Sequence, residues 1–121
     1  KGQQARQESV KLILAQISER NPEGLPVILT GDLNLEPEDP AILRLSRQMQ
    51  DTRVLAGGSA YGPEGTFNGF DCTRPANRRI DYVFVSPGGF KVIRYATLSD
   101  TTGKGFPSDH FPVLATLSWP E

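Results

Sequence analysis

The amino-acid sequence predicts one small domain of mixed α/β class. Its 121 residues suffice for a single domain and leave no room for two. Helical and strand-like patterns follow one another in the order helix, strand, helix and then several strands, which is typical of mixed α/β proteins. A hydrophobic fraction of 37% provides for a core and excludes a disordered chain.

The first two elements are predicted from the spacing of their apolar residues. Residues 3–20 have the pattern of an amphipathic helix, which ends at Asn21 because the following Pro22 disfavours the helical region for the residue before it. Residues 26–30 form a short continuous apolar run, which predicts a strand covered on both faces. The predicted apolar stripe of the helix, at i, i+3, i+4 and i+7, consists of Val10, Ile13, Leu14 and Ile17.

The middle of the chain predicts a second helix and a long loop. Asp39 and Pro40 have the residue types of an N-cap followed by the first helical position. Residues 51–55 predict a short strand, and residues 56–77 are rich in Gly, Pro, Asn and Asp. Loops of that length in compact domains are usually functional or disordered. The apolar stripe of the second helix consists of Ile42, Leu45 and Met49.

The last third of the chain predicts three strands, over residues 80–86, 90–98 and 111–119. A turn at residues 87–89 separates the first two, and a polar loop at residues 99–109 precedes the third. Ile80, Tyr82 and Phe84 alternate with Asp81, Val83 and Val85. Both faces of the first of these strands are therefore apolar.

Composition narrows the possible functions. With a formal net charge of −1, the chain has no globally basic surface that would bind nucleic acid or membranes non-specifically. No apolar run approaches the roughly 18 residues of a membrane span, so we expect a soluble chain. The single cysteine, Cys72, cannot form an internal disulfide. The sequence begins without an initiator Met or a targeting segment, and it leaves the cellular location open.

The first group of candidate functional residues follows the apolar run at residues 26–30. Asp32 and Asn34 are two positions apart, so both side chains point the same way if the backbone stays extended. A carboxylate there can activate or orient a water, and an amide can donate to an oxyanion. The alternative is an Asx turn that simply ends the strand.

A second candidate is Asp81, an acid inside an otherwise apolar strand. A buried carboxylate without a partner is costly, so Asp81 should be paired. Its partner is either a nearby arginine, which would be a structural role, or His110, the only histidine of the chain. His110 follows Ser108 and Asp109 directly before the last strand, and its side chain is the one that titrates near neutrality unaided. By itself such a histidine is more often an ordinary loop residue.

Four motifs in a fixed order carry a resemblance to a known family. The chain resembles the C-terminal half of the endonuclease/exonuclease/phosphatase superfamily, which has the deoxyribonuclease-I-like fold. The resemblance covers nearly all of the chain and implies half of a four-layer α/β/β/α sandwich, with one mixed, mainly antiparallel sheet and helices on its outer face. The motifs are Gly31-Asp32-Leu33-Asn34, Thr66-Phe67-Asn68, Arg79-Ile80-Asp81-Tyr82-Val83-Phe84 and Ser108-Asp109-His110-Phe111-Pro112-Val113.

The resemblance implies a role for each matching residue in metal-dependent hydrolysis of a phosphate ester. Asp32 matches the acid that activates the attacking water, and Asn34 the amide that positions the phosphate. Asp81 matches the carboxylate that holds the catalytic histidine, here His110, and keeps it protonated. Asp109 matches a ligand of the divalent metal, Mg²⁺ or Mn²⁺. Residues of the cleft that binds the substrate are matched by Thr66, Phe67 and Arg79.

The chain departs from the family in length. Members are roughly twice as long, and their first half normally supplies an Asn, a metal-binding Glu and a second His. We therefore expect residues 1–121 to be the C-terminal half of one domain, with an exposed sheet that binds the other half or a second copy of the chain. The alternative function is a catalytically incomplete half-domain that acts as an assembly or binding module.

The sequence says less about the class of substrate than about the type of reaction. The absence of a basic stripe favours a small molecule or a lipid head group over nucleic acid, which remains possible because acidic nucleases exist in the family. Three arginines, Arg74, Arg78 and Arg79, follow the Thr66-Phe67 loop. They can bind a phosphate or form salt bridges at the surface, and the sequence does not distinguish these roles.

Overall fold

A computed structural model describes residues 2–101 and 103–121. The helices are α1 (Gly2–Arg20), α2 (Pro40–Leu45) and α3 (Thr52–Ala56), and a 3₁₀ turn follows at Gly57–Ser59. The strands are β1 (Ile28–Asp32), β2 (Gln50–Asp51), β3 (Asp81–Val85), β4 (Lys91–Thr97) and β5 (Val113–Ser118). The predicted first helix and the last three strands are confirmed to within two residues at each end. In the described part of the chain, no helix carries an apolar stretch long enough to cross a bilayer.

The strands form two antiparallel sheets, which confirms the predicted mixed α/β class. β3 lies between β1 and β2 in the first sheet, and β4 pairs with β5 in the second. The expected single sheet is therefore hydrogen-bonded as two. The two sheets are linked by Phe67, which forms isolated bridges to Arg78, just before β3, and to His110, just before β5. The loop between α3 and β3 thus carries a short strand-like segment between the sheets.

One face of the first sheet is covered by α1 and α2. Leu29 of β1 lies opposite Phe84 of β3, and Gly31 lies opposite Tyr82. Tyr82 and Phe84 are buried in the core cluster, against which Leu29 packs. Val10 and Ile42 bring the two helices into this cluster. The remaining buried members of the cluster are Leu35, Ala41, Leu45 and Met49.

The opposite face of the first sheet carries the other half of the alternating side chains. By the strand register, Ile28 lies opposite Val85, Thr30 opposite Val83, and Asp32 opposite Asp81. Val85 is fully buried, but Ile28 is 50% exposed and Thr30 is exposed. The prediction that the first strand is covered on both faces is therefore wrong for this chain. We call the side chains of Ile28, Thr30, Asp32, Asp81 and Val83 the open face.

The second helix and the residues after it differ in part from the prediction. Asp39 is the N-cap of α2, since its side chain accepts a hydrogen bond from the backbone N–H of Ala41, and Pro40 is the first helical residue, as predicted. The predicted strand at residues 51–55 is wrong beyond Asp51. The Asp51 carboxylate accepts a hydrogen bond from the Arg53 N–H and caps α3 instead.

Candidate active site

Two acidic side chains meet on the open face, at the end of β1 and the start of β3. Asp32 is the last residue of β1 and Asp81 is the first residue of β3, and the antiparallel register places them directly opposite each other. Side chains of residues paired in this way lie on the same side of a sheet. The strand pairing therefore brings together two carboxylates that are 49 positions apart in the sequence.

His110 lies between these two carboxylates. Its Nδ1 is 2.8 Å from Oδ2 of Asp81, and its Nε2 is 3.8 Å from Oδ2 of Asp32. The three side chains offer ligand atoms that all lie within 4.8 Å of one another. Since a carboxylate can only accept, the ring N–H at Nδ1 donates to Asp81, and this leaves Nε2 directed toward Asp32. The sequence left either a nearby arginine or His110 as the partner of Asp81, and in the structure the partner is His110.

The surroundings of His110 favour its charged form. The hydrogen bond with Asp81 raises the pKa of His110 above the ordinary value of 6.5. Partial burial opposes this rise, while the negative charges of Asp81, Asp32 and Asp109 reinforce it. The side chain is 27% exposed, so the ring is held in place and is still reachable from the open face. The site thus holds an oriented imidazole, whose charged form is favoured, next to a carboxylate.

Thr66 holds the backbone under this pair. It is fully buried, and its hydroxyl oxygen accepts hydrogen bonds from the N–H groups of Ile80 (3.0 Å) and Asp81 (3.2 Å). Its carbonyl oxygen accepts from the N–H of Phe111 (2.7 Å), the residue after His110. Thr66 therefore fixes the chain on both sides of the Asp81–His110 contact. The sequence predicted that Thr66 lines the substrate cleft; in the structure its side chain is fully buried.

Phe67, the next residue, is half-buried and packs its ring against His110. The two ring centroids are 5.3 Å apart in an edge-to-face arrangement. On the Phe67 ring, the guanidinium carbon of Arg78 lies 5.7 Å from the centroid. Phe67 thus lies against the imidazole, and this contact restricts the histidine ring.

Asn34 and Asp109 lie at the edges of the cluster. The N–H of Asn34 donates to Oδ1 of Asp32 at 2.9 Å, and Asn34 has a positive φ of 54°. This is the Asx turn that the sequence analysis gave as the alternative to a functional role for Asp32 and Asn34. The turn is present, and Asp32 also lies beside His110. Asp109 is half-buried, and its carbonyl oxygen accepts from the N–H of Asn68 at 2.8 Å. Within the described residues, the cluster of candidate metal ligands contains Asp32, Asp81 and His110 and does not include Asp109.

The three arginines after the Thr66-Phe67 loop have different environments. Arg79, which the sequence predicted in the substrate cleft, is 4% exposed and forms a buried ion pair with Asp51. The exposed Arg74 binds Asp71 through Nε at 3.0 Å. Arg78 is exposed and stacks on Phe67. Asp51 was not among the predicted site residues, and nothing in the sequence around it indicates an ion pair with Arg79.

Comparison with known proteins agrees with this geometry. The sequence model of the endonuclease/exonuclease/phosphatase family matches residues 2–110. The chain belongs to this family. No curated protein sequence matches the chain significantly.

Several solved structures are similar to this chain over most of its length. A conserved protein of unknown function from Enterococcus faecalis V583 is 34% identical with a TM-score of 0.85, and the match covers 97% of this chain and 45% of that protein. The mannosyl-6-phosphatase Bt3783 from Bacteroides thetaiotaomicron is 34% identical with a TM-score of 0.85, covering 96% and 46%. An endonuclease/exonuclease/phosphatase family protein from the same species is 35% identical with a TM-score of 0.84, covering 95% and 44%. This chain therefore spans slightly less than half the length of these relatives.

Proposed function

We propose that this chain carries the aspartate–histidine part of a metal-dependent phosphoesterase active site. The observation that supports the proposal is the position of His110, bonded to Asp81 through Nδ1 and facing Asp32 through Nε2. A separation of 3.8 Å between Nε2 and the Asp32 carboxylate is too long for a direct hydrogen bond. A water or a phosphoryl oxygen placed beside both groups can bond to each of them.

The proposed mechanism assigns a different task to each side chain. Asp32 accepts a proton from the attacking water and directs it toward phosphorus. His110, kept protonated by Asp81, donates from Nε2 to a phosphoryl oxygen and stabilises the charge of the transition state. The side-chain amide of Asn34, which is exposed, donates to another oxygen of the phosphate. In-line displacement then forms a bond between the water oxygen and phosphorus while the bond to the alcohol oxygen breaks, and the alcohol leaves with a proton taken from solvent.

The donor set fits a hard divalent cation. Mg²⁺ is usually held by one or two carboxylates, with waters and substrate phosphate completing its octahedron. Asp81 is engaged with His110 and Asp32 is assigned to the attacking water, so Asp109, which reaches solvent at the edge of the cluster, is the carboxylate that would hold Mg²⁺ or Mn²⁺. When bound, the metal would neutralise charge on the phosphoryl oxygens.

A small phosphate ester is the substrate class that we favour. The net charge of −1 gives no field that would attract a nucleic acid backbone. One of the similar structures is, by its name, a mannosyl-6-phosphatase, which acts on a sugar phosphate. A sugar phosphate or a lipid head group therefore fits better than nucleic acid, which serves as the comparison substrate in the test below.

The open face supports a second part of the proposal, a covering layer. Ile28 and Thr30 beside the active site are exposed to solvent, and apolar sheet faces of soluble proteins are normally covered. We propose that this face binds a further polypeptide layer, equivalent to the part of the similar structures outside the match, or a second copy of the chain. The second candidate function, a non-catalytic assembly module, is favoured by this same open face.

One experiment separates the two candidate functions. Hydrolysis of a hexose phosphate is measured as phosphate release, and hydrolysis of single-stranded DNA as strand cleavage on a gel. Both are measured with Mg²⁺, for the chain alone and after addition of the unmatched part of the Enterococcus faecalis protein. We expect little activity alone, activity on the sugar phosphate in the mixture, and a loss of about 10²- to 10⁴-fold for His110→Ala. Glu23→Gln, at an exposed turn far from the cluster, is the control and should have no effect.

The outcomes of this experiment are distinct. A stoichiometric complex without any hydrolysis would support the assembly module. Full activity of His110→Ala would contradict the proposed mechanism, and faster cleavage of DNA than of the sugar phosphate would contradict the substrate class.

A further inference from the structure

Next to the Phe67 ring, close to the active site, the structure has a cavity of about 390 Å³. We call it the Arg78 cavity; its walls include Phe67, Asp71, Arg74, Asn77 and Arg78. The ring of Phe67 contacts both the imidazole of His110 and the guanidinium of Arg78. The mechanism proposed above makes no use of this cavity.

The charges that line the Arg78 cavity leave one cation without a partner. Asp71 accepts from Arg74 at 3.0 Å, and these two charges neutralise each other. Arg79, the next residue along the chain, is engaged by Asp51 outside the cavity. Among the described residues, Arg78 has no carboxylate within salt-bridge distance, although it is exposed. The cavity thus has a net positive charge that comes from one side chain.

The guanidinium of Arg78 is also held in place. It stacks on the Phe67 ring at 5.7 Å from the centroid, a geometry that restricts its rotamers. The backbone beneath it is fixed, since the Arg78 carbonyl oxygen accepts from the N–H groups of Thr66 and Phe67. An arginine that is already ordered loses less conformational entropy when it binds an anion.

The distance between the two sites limits what can occupy both. The guanidinium carbon lies 5.7 Å from the Phe67 centroid, and the His110 centroid lies 5.3 Å from the same point. The two distances together give an upper bound of 11.0 Å between Arg78 and the imidazole. A compact metabolite with anionic groups at its two ends can therefore contact both residues.

From these observations we propose that the Arg78 cavity is a second anion subsite, which binds a phosphate group of the substrate other than the one that is cleaved. The substrate class is then a small bisphosphorylated molecule. This inference rests on the proposed function, because it takes the site at His110 to be the one that holds the scissile phosphate.

The test compares a hexose monophosphate with the bisphosphate of the same sugar. Binding to the full chain is measured by calorimetry with Mg²⁺ present, for the wild type, Arg78→Gln and Arg47→Gln. We expect the wild type to bind the bisphosphate about tenfold more tightly, which is the effect of one charge-assisted hydrogen-bond pair. Arg78→Gln should lose this preference and keep its affinity for the monophosphate. Arg47→Gln changes an exposed arginine at a distant cavity and should behave as the wild type.

Several results would overturn the subsite. The inference is wrong if the wild type shows no preference for the bisphosphate, or if Arg78→Gln retains it. It is also wrong if a single-stranded oligonucleotide binds through Arg78 more tightly than the bisphosphate, because the ligand class would then be nucleic acid. Failure of the proposed function looks different: the bisphosphate preference remains and depends on Arg78, whereas sugar phosphates are not hydrolysed in the complemented assay described above.

Discussion

The two faces of the three-stranded sheet are built from alternate residues of the same strands and serve different purposes. On the covered face, Leu29 and Phe84 pack under α1 and α2. On the open face, Asp32 and Asp81 lie directly opposite each other; Asp81 is hydrogen-bonded to His110, and Asp32 faces its Nε2. Because strand side chains alternate, a shift of one residue would exchange the two sets. The packing that stabilises the covered face therefore also fixes the position of the catalytic candidates.

The largest expected effect is a difference in the loss of unfolding free energy between substitutions on the covered face and on the open face. Phe84 is fully buried on the covered face, so Phe84→Ala should lower the free energy of unfolding by about 3–5 kcal/mol. Its neighbour Val83 is only half-buried on the open face, and Val83→Ala should cost less than about 1.5 kcal/mol. Urea unfolding followed by circular dichroism measures both. Equal losses would show that the open face is as well packed as the covered one.

A smaller effect is expected at Thr66, which joins the two parts of the active site. Thr66→Val keeps the shape and removes the hydroxyl oxygen that accepts from the Ile80 and Asp81 N–H groups. Buried donors left unpaired should cost about 1–3 kcal/mol. The pKa of His110 should also fall, because Asp81 is no longer held in position. Thr66→Ser retains the hydroxyl and should retain the raised pKa; a raised pKa in Thr66→Val would mean that this hydroxyl does not position Asp81.

The smallest expected effect is a pH dependence of stability that belongs to the open face. The folded state raises the pKa of His110 above 6.5, so the folded chain binds the proton more tightly than the unfolded chain. This contribution is fully present below pH 6.5 and is lost as the pH rises through the folded pKa. Unfolding free energies at several pH values between 5 and about 9 should show this decline in the wild type. The decline should vanish in His110→Gln, and its persistence there would assign it to another group.

Most of the fold could be predicted from the sequence, because periodicity reports burial directly. The stripe at Val10, Leu14 and Ile17 predicted α1, and the alternation through Tyr82 and Phe84 predicted β3; the structure has both. The strand predicted after Asp51 is a helix, since the carboxylate of Asp51 caps it. Side-chain capping is a local hydrogen-bond choice that apolar spacing does not record.

The pairing of the active-site residues needed more than local patterns. The sequence required a partner for Asp81 and left an arginine or His110 open. In the structure Asp81 is hydrogen-bonded to His110, and the buried Arg79 forms its ion pair with Asp51. Nothing in the spacing of these residues indicates Asp51, because its contact with Arg79 depends on the packing of α3 against β3. The roles of Thr66 and Arg79 in the substrate cleft stay predictions that their burial in this structure does not favour.

The central claim is that Asp81 holds His110 as a cation on the open face. Because His110 is the only histidine, proton NMR of its imidazole gives a single titration curve without assignment. We predict a pKa above 6.5 in the wild type, and a lower pKa in Asp81→Asn, whose amide lacks the negative charge. Glu23→Gln, which removes a charge from a distant exposed turn, should leave the curve unchanged. The same pKa in the wild type and in Asp81→Asn would contradict the account, since the two side chains would then not be in contact.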